Sequence, residues 1–265
     1  MYANKVRFNG SQANRIIKLT NIENDPDITT INLGTTSPVY FSSLKLSPFN
    51  SNTLYLGTQS GRLYKSININ GQPSSLNIGD DDFPTANISS IDIGSSENEI
   101  LVTFSNYGVS SIWYTEDGGL NWQEKESTLP DMPVRWGLLH PDDSNYALIA
   151  TEIGVWETSN LLDQNVNWLP SSSGLANVRV DMLSMSGDKV LAATHGRGLF
   201  FGDFLAEGSL MGDLNNDNQI NVLDIIILVN MIINSEDYSN NADINSDTNI
   251  DILDVVLMVN LILDN

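Results

Sequence analysis

Cysteine is absent from all 265 residues, which excludes disulfides, thiolate metal sites and the small disulfide-stapled secreted folds. Lys and Arg are scarce, 12 against 33 Asp and Glu, for a net charge of −21. The scarcity is uneven: from residue 206 onward there are eleven acids and no Lys or Arg, whereas the residues before it hold 22 acids and all 12 bases. So anionic a chain repels nucleic acid and anionic membranes and favours cations or basic partners. Long apolar runs are also missing. Ile225–Ile233 is the longest and is broken by Asn230, far short of the roughly 20 residues of a membrane span, so no membrane insertion is expected. The first residues, MYANKVRFNG, lack the apolar stretch of a signal peptide. Because the sequence opens inside what reads as a repeat, the expectation is the C-terminal part of a longer chain whose export signal lies further upstream. No P-loop, no GxGxxG after a strand and no Ser–His–Asp order is found, which removes the usual phosphate and nucleotide chemistry. What is present is a 41% apolar composition with five tryptophans, the make-up of a globular chain with a real core.

Four stretches share one grammar: SSLKLSPFNSNTLYLGTQSGRLYKS (42–66), SSIDIGSSENEILVTFSNYGVSSIWYTED (89–117), VRWGLLHPDDSNYALIATEIGVWETS (134–159) and VRVDMLSMSGDKVLAATHGRGLFFGD (178–203). Each begins as an alternating strand, turns through polar residues, continues as a small-residue strand ending near Thr, crosses a Gly turn and closes on an aromatic strand. The central Thr58, Thr103, Thr151 and Thr194 stand 45, 48 and 43 residues apart. Several short strands at such a period predict β-propeller blades. Four units, plus an outer-strand remnant around Arg15–Leu19, predict a mainly β, partial or open propeller of about four blades over residues 1–204, followed by a linker at 205–211.

In the second unit the turn Thr115–Trp122 reads TEDGGLNW. Asp117 can accept backbone N–H bonds across it, Gly119 supplies a positive φ and Trp122 covers the hairpin. It is similar to the Asp-box motif S/T-x-D-x-G-x-T-W, with Asn121 in place of the threonine, and the role this implies is structural. Together with ATEIGVWE (150–157) and ATHGRGLF (193–200), residues 1–204 resemble the sortilin-like and BNR-type propellers of secreted bacterial proteins, a group that includes glycosidases cutting xyloglucan. The resemblance implies the fold, and leaves open whether this chain is catalytic or a binding module.

A glycosidase needs two carboxylates facing each other across a cleft. Glu152, Glu157 and Asp181 are the candidates, and no motif assigns a catalytic residue among them. His195 and Arg197, in THGRG, either line a ligand site or fasten one turn to the next. His140, before Pro141, reads as turn chemistry. Trp113, Trp136, Trp156 and Trp168 read either as sugar platforms or as core.

The tail is duplicated. DLNNDNQINVLD (213–224) and DINSDTNIDILD (243–254) align at an offset of thirty, and the identities continue through Val229/Val259, Asn230/Asn260 and Ile232/Ile262. Calcium takes six to eight oxygens, and a twelve-residue loop presents them from places 1, 3, 5, 7, 9 and 12. The first loop offers Asp213, Asn215, Asp217, the carbonyl of Gln219, Asn221 and Asp224; the second offers Asp243, Asn245, Asp247, the carbonyl of Asn249, Asp251 and Asp254. That spacing predicts two calcium ions. Apolar helices are expected at 222–233 and 252–263, with Ile220 and Ile250 able to pair across the loops. Place 6, which needs a positive φ, holds Asn218 and Thr248.

No helix signal precedes the first loop, and Asp replaces the usual Glu at place 12. With the tandem spacing, these features make 212–265 resemble the type I dockerin domain, a small α-helical module with two EF-hand-type calcium loops that docks onto cohesin modules in secreted assemblies. The resemblance implies recognition through places 10 and 11, here Val222–Leu223 and Ile252–Leu253, although the basic residues that usually follow are lacking.

Three readings follow. One is a secreted or cell-surface bacterial protein in which the calcium module anchors a binding or presenting propeller to a cohesin-like or cell-surface partner, with polysaccharide as one ligand class. Another is the C-terminal part of a polysaccharide-degrading glycoside hydrolase of the xyloglucanase type. In the third, the calcium loops are only a structural cap.

Overall fold

The computed structural model describes residues 2–4, 15–21, 27–33, 39–79, 81–171, 175, 177–187, 189–204, 212–215, 219–234, 241–245 and 247–263. The 205–211 linker, Asp217 and Asn218 therefore lie outside the described residues. The chain divides into two compact units, 1–183 with 192–200, and 184–191 with 201–265.

Five antiparallel meanders follow one another along the chain. The first holds β1 (Tyr2–Asn4), β2 (Arg15–Thr20) and β3 (Asp27–Asn32); the second β4 (Phe41–Leu46), β5 (Thr53–Thr58), β6 (Leu63–Ile67) and β7 (Ser74–Asn77). The third holds β8 (Ile88–Ile93), β9 (Ile100–Phe104), β10 (Ile112–Thr115) and β11 (Gln123–Glu124), and the fourth β12 (Val134–Leu139), β13 (Ala147–Thr151), β14 (Gly154–Thr158) and β15 (Leu169–Pro170). The last has β16 (Val180–Ser186), β17 (Lys189–Thr194) and β18 (Gly198–Asp203). Two helices close the chain, α1 (Val222–Asn234) and α2 (Ile252–Leu263). The architecture is thus mainly β with a small helical end. One expectation is corrected: Arg15–Leu19 is not an outer-strand remnant but the middle strand of a sheet of its own, paired with β1 on one side and β3 on the other. Its sequence lacks the Thr-and-Gly-turn signature, which is why it escaped the repeat grammar.

First strands of successive sheets lie side by side, β1 by β4, β4 by β8 and β8 by β12, the blade order of a propeller. Apolar side chains fill the spaces between. Ile16 and Ile31 meet Leu54, Leu56 and Tyr64 between the first two sheets; Tyr55 and Leu63 meet Ile100, Val102 and Trp113 between the next two. Leu101 and Tyr114 meet Ala147, Ile149 and Trp168 beyond them. Alternation along each second strand sends one set of side chains to either neighbour, so a blade is buried on both faces: β5, β9 and β13 are buried throughout.

The recurring threonine has a local reason. Thr151 Oγ1 donates to the Gly154 carbonyl at 2.9 Å and Thr194 Oγ1 to that of Gly198 at 2.7 Å, while Thr58 Oγ1 accepts the Arg62 N–H at 2.8 Å. In each case the hydroxyl closes the Gly turn into the third strand. A second device repeats at the start of each inner strand, where β4, β8 and β12 carry a bulge between their first and third residues. The bulged residue reaches sideways: Ser42 Oγ donates to Ile88 O at 2.7 Å and Ser89 Oγ to Val134 O at 2.6 Å, one sheet latching the next. At the third bulge stands Arg135.

Candidate functional site

In the C-terminal module the loops, caps and helix starts are one structure. Asn221 Oδ1 accepts the Leu223 N–H at 2.8 Å, and Asp224 Oδ2 accepts the Asn221 N–H at 2.8 Å. Asp251 and Asp254 repeat this, with Asp251 Oδ1 on the Leu253 N–H at 2.7 Å and Asp254 Oδ2 on the Asp251 N–H at 2.8 Å. Each is a reciprocal N-cap, place 9 capping the helix and place 12 capping place 9. The other oxygen of the place-12 carboxylate reaches back over the loop: Asp224 Oδ1 accepts from Leu214 N at 2.8 Å and Asn215 N at 3.2 Å, and Asp254 Oδ1 from Asn245 N at 3.3 Å. Place 1 of the second loop does the same, Asp243 Oδ1 on Asp247 N at 3.1 Å and Oδ2 on Thr248 N at 2.8 Å. Thr248 takes a φ of 72°, the left-handed conformation that place 6 demands and that a β-branched residue resists.

Asp213, Asp224, Asp243 and Asp254 are at most 1% exposed, and the sequence supplies no Lys or Arg from residue 206 onward to neutralise them. Buried carboxylates without a cation are costly. Among the described residues no three acidic or histidine side chains converge on one point; the second loop's carboxylates are spread along its backbone, Asp247 Oδ1 taking the Asn249 N–H at 2.9 Å and Asn245 Nδ2 donating to Asp247 Oδ2 at 2.9 Å. The donor set, all oxygen and largely anionic, fits a hard divalent cation. Asp213, Asn215, Gln219, Asn221 and Asp224, and Asp243, Asn245, Asp247, Asn249, Asp251 and Asp254, are the residues that would hold it, and a bound cation would supply the missing positive charge. Packing here is thin: Leu228, Ala242 and Met258 form the buried core, with Ile220, Ile250 and Ile244 among its partly buried neighbours. Val222, Leu223, Ile252 and Leu253 stand outside it, each more than half exposed.

In the β repeats, the Thr115–Trp122 turn is held by Asp117, whose Oδ1 accepts from Thr115 Oγ1 at 2.8 Å and from the Leu120 and Asn121 N–H groups at 2.9 Å each. Asn121 Nδ2 donates to its other oxygen at 2.6 Å. These bonds, led by those from Asn121, hold the Asp117 carboxyl down at about 2. Gly119 has a φ of 94°, and a Cβ there would lie 2.9 Å from Ile78 O. Trp122 Nε1 donates to the same Ile78 carbonyl at 2.7 Å, so the turn fastens one sheet to the one before. The fourth sheet holds a counterpart, whose Asn165–Trp168 end reads in the sequence as a worn version of the same turn and whose anchor, Asn160, does not. Asn160 Oδ1 accepts from Thr158 Oγ1 and Asn167 N, both at 2.9 Å, and Trp168 Nε1 donates to Lys125 O at 2.8 Å. Thr-x-Asn was the available signal, masked by a longer loop. Lys125 itself is buried, its Nζ donating to Asp163 O at 2.9 Å, and burial pushes its pKa down.

Of the residues singled out for chemistry, Glu152, Asp181 and His195 come together while Glu157 does not; Glu157 lies exposed on β14, opposite Leu148 and Leu169. The assembler is Arg135, unremarked in the sequence, which bonds Glu152 Oε1 through Nε at 2.8 Å and also through Nη2, and lies with Nε 3.9 Å from Asp181 Oδ1. Arg179 Nε donates to the same Asp181 oxygen at 2.6 Å, and His195 Nδ1 lies 3.4 Å from Asp181 Oδ2. Burial works to raise the Asp181 pKa, but Arg179, His195 and Arg135 outweigh it and hold the carboxyl low. A general acid for glycoside cleavage needs the opposite shift. Trp113 and Trp168 are buried, with Nε1 on Ser110 O at 3.0 Å and on Lys125 O, so they are core. His140 is buried in its turn, its Nδ1 accepting the Asp142 N–H at 3.2 Å.

With this geometry in place, residues 211–263 match the family model described as the dockerin type I domain. The chain therefore carries a dockerin type I domain at its C-terminal end. No curated protein matches the chain. Among solved structures, the computationally designed Ika8 protein aligns with a TM-score of 0.44 and 12% identity over 73% of this chain and 56% of that one. The GH74 xyloglucanase from Xanthomonas campestris aligns at 0.48 and 13%, over 72% of this chain and 33% of that one. The β-propeller domain of Cps50 (Swd1) from Myceliophteria thermophila aligns at 0.47 and 16%, over 64% and 54%. No described helix is long and apolar enough to cross a membrane.

Proposed function

We propose that this is an extracellular or cell-surface bacterial protein, built as a propeller domain over 1–204 and a dockerin over 212–265, in which the dockerin plugs the propeller into a cohesin-like partner. The observation that carries the reading is the pair of equivalent loop-and-cap units at 213–224 and 243–254, within the matched segment 211–263. Each unit binds one calcium ion, and places 10 and 11, Val222–Leu223 and Ile252–Leu253, meet the partner. Their exposure supports this, because the same side chains packed inward would have served a core that badly needs them. For the propeller, binding or presentation is favoured over glycoside hydrolysis, because Glu152 and Asp181 are committed to arginines. The Asp117 turn supports likeness to Asp-box propellers.

The test is a calorimetric titration of the full chain against a panel of cohesin modules, with calcium and with chelator. Calcium-dependent binding to at least one cohesin is expected, weakened by the pair Leu223→Asp and Leu253→Asp. Two calcium sites without binding to any cohesin would leave the loops as a cap and sink the anchor reading.

A further inference from the structure

We propose, on the strength of the docking reading above, that the outer faces of α1 and α2 are uncharged apolar docking stripes running well beyond places 10 and 11. The partner they take is a cohesin-like protein with an apolar docking face rimmed by basic residues. A helix at a protein surface normally turns charged and polar side chains to water. Here each helix has a single charged residue, Asp224 in α1 and Asp254 in α2, and both are buried. What meets solvent is mostly aliphatic. Ile226 and Val256 are 52% and 53% exposed, and Ile233 and Leu263 are 72% and 76% exposed. Counted from Val222 and from Ile252, these residues stand four and then seven apart. That spacing is one face of a helix, a stripe of about 17 Å on each.

The stripe occurs twice with the same make-up. Its polar interruption also falls at the same place in each helix, Asn230 and Asn260, both exposed. Single exposed aliphatic side chains are ordinary, whereas a contiguous apolar patch, here repeated in both halves of the module, marks an interaction site. A second copy of this chain is a poor occupant. From residue 206 onward there are eleven acids and no Lys or Arg, two calcium ions would offset only part of that charge, and two such modules face to face repel each other. An anionic membrane is opposed for the same reason. An acidic docking face would find no basic side chain to pair with in the module, and it would set carboxylates against a segment that is already anionic. A rim of lysines and arginines meets the opposite field, which steers the partner in, while the apolar centre holds it.

The experiment measures binding of the full calcium-loaded chain to two cohesin modules, one with an acidic docking face and one with an apolar face rimmed by lysines, by calorimetry and surface plasmon resonance. The second is expected to bind about a hundredfold more tightly, with a negative heat-capacity change. Rising salt should slow its association and leave its dissociation rate unchanged. Ile226→Asp made together with Val256→Asp should weaken binding about thirtyfold. Both positions are exposed, and the helical circular dichroism of the calcium-loaded variant checks that the module is folded. Asn230→Lys made together with Asn260→Lys should move the preference towards the acidic face. A wild type that prefers the acidic face, or a Val256→Asp and Ile226→Asp variant that binds as the wild type does, would overturn the proposal and leave the docking reading standing. Binding to no cohesin at all would remove both. Self-association, or uptake by phosphatidylcholine vesicles, that is abolished by the same two aspartate substitutions would assign the stripes to a second copy or to lipid, and would overturn the proposal as well.

Discussion

Asp92 in the third sheet and Asp254 in the dockerin are both buried carboxylates, 6% and 0% exposed, and they are satisfied differently. Asp92 has a cation from the neighbouring sheet, Lys45 Nζ at 2.5 Å, and a backbone donor from the sheet on its other side, Leu139 N at 2.8 Å. Asp254 has backbone donors from its own loop and helix start, and no Lys or Arg within its whole module. The repeats thus carry their own counter-charges and several apolar clusters, whereas the module has a small core and a surplus of negative charge. A domain of that size is marginal on burial alone. A bound cation would then contribute to its folding free energy.

Calcium removal should break the two regions apart, and it is the largest effect expected. At a thousandfold excess over its dissociation constant, each bound ion contributes about 4 kcal/mol. Chelation should abolish the far-ultraviolet helical signal of α1 and α2 and leave the thermal transition of the β repeats in place; loss of both together would show that the regions do not differ as described. Next comes a matched pair of substitutions. Asp254→Ala strips its loop of ligand and hydrogen-bond acceptor at once and should cost about 3 kcal/mol, with most of the loss disappearing when calcium is absent from both proteins. Asp92→Ala should cost a comparable amount that is the same with and without calcium.

A smaller effect concerns acid. The Asp117 carboxyl sits at about 2 in the fold against 3.8 ordinarily, so its contribution is fully present above pH 4 and is lost as the pH falls through 2. The melting-temperature gap between the wild type and Asp117→Asn should be constant from pH 5 to 7 and narrow towards pH 2; a gap that widens on acidification would reverse the sign. Smallest, and opposite in direction, is Thr248→Gly. Relieving a β-branched residue held at φ 72° should stabilise the calcium-loaded module by about 1 kcal/mol, seen as a higher melting temperature of α2.

Legibility followed the range of the forces. The two loop-and-cap units could be read because their acceptor places are fixed by a local turn, and the repeat period because each blade is a local meander. The Asp117 turn was readable for the same reason, and Asn160 was not, since three extra residues separate its two ends. Arg135 was invisible: nothing near it in sequence distinguishes it, and its partners lie 17 and 46 residues away. The bulge serines Ser42 and Ser89 were likewise silent, because a hydroxyl reads as surface until the neighbouring sheet supplies a carbonyl.

What the sequence by itself determined is whatever closes within about a dozen residues: the strand periods, the Gly turns shut by threonine, and the two loops whose acidic and amide side chains sit between places 1 and 12 and cap the helices they precede. Those features are set by backbone geometry and short-range hydrogen bonds, so residue type and spacing specify them. Only the tertiary structure decided which charges meet. It buried four carboxylates in a module that holds no basic side chain, and it gathered Glu152, Asp181 and His195 around arginines from two different sheets. Electrostatic partners are chosen by distance in space, and that distance is fixed by how successive sheets stack.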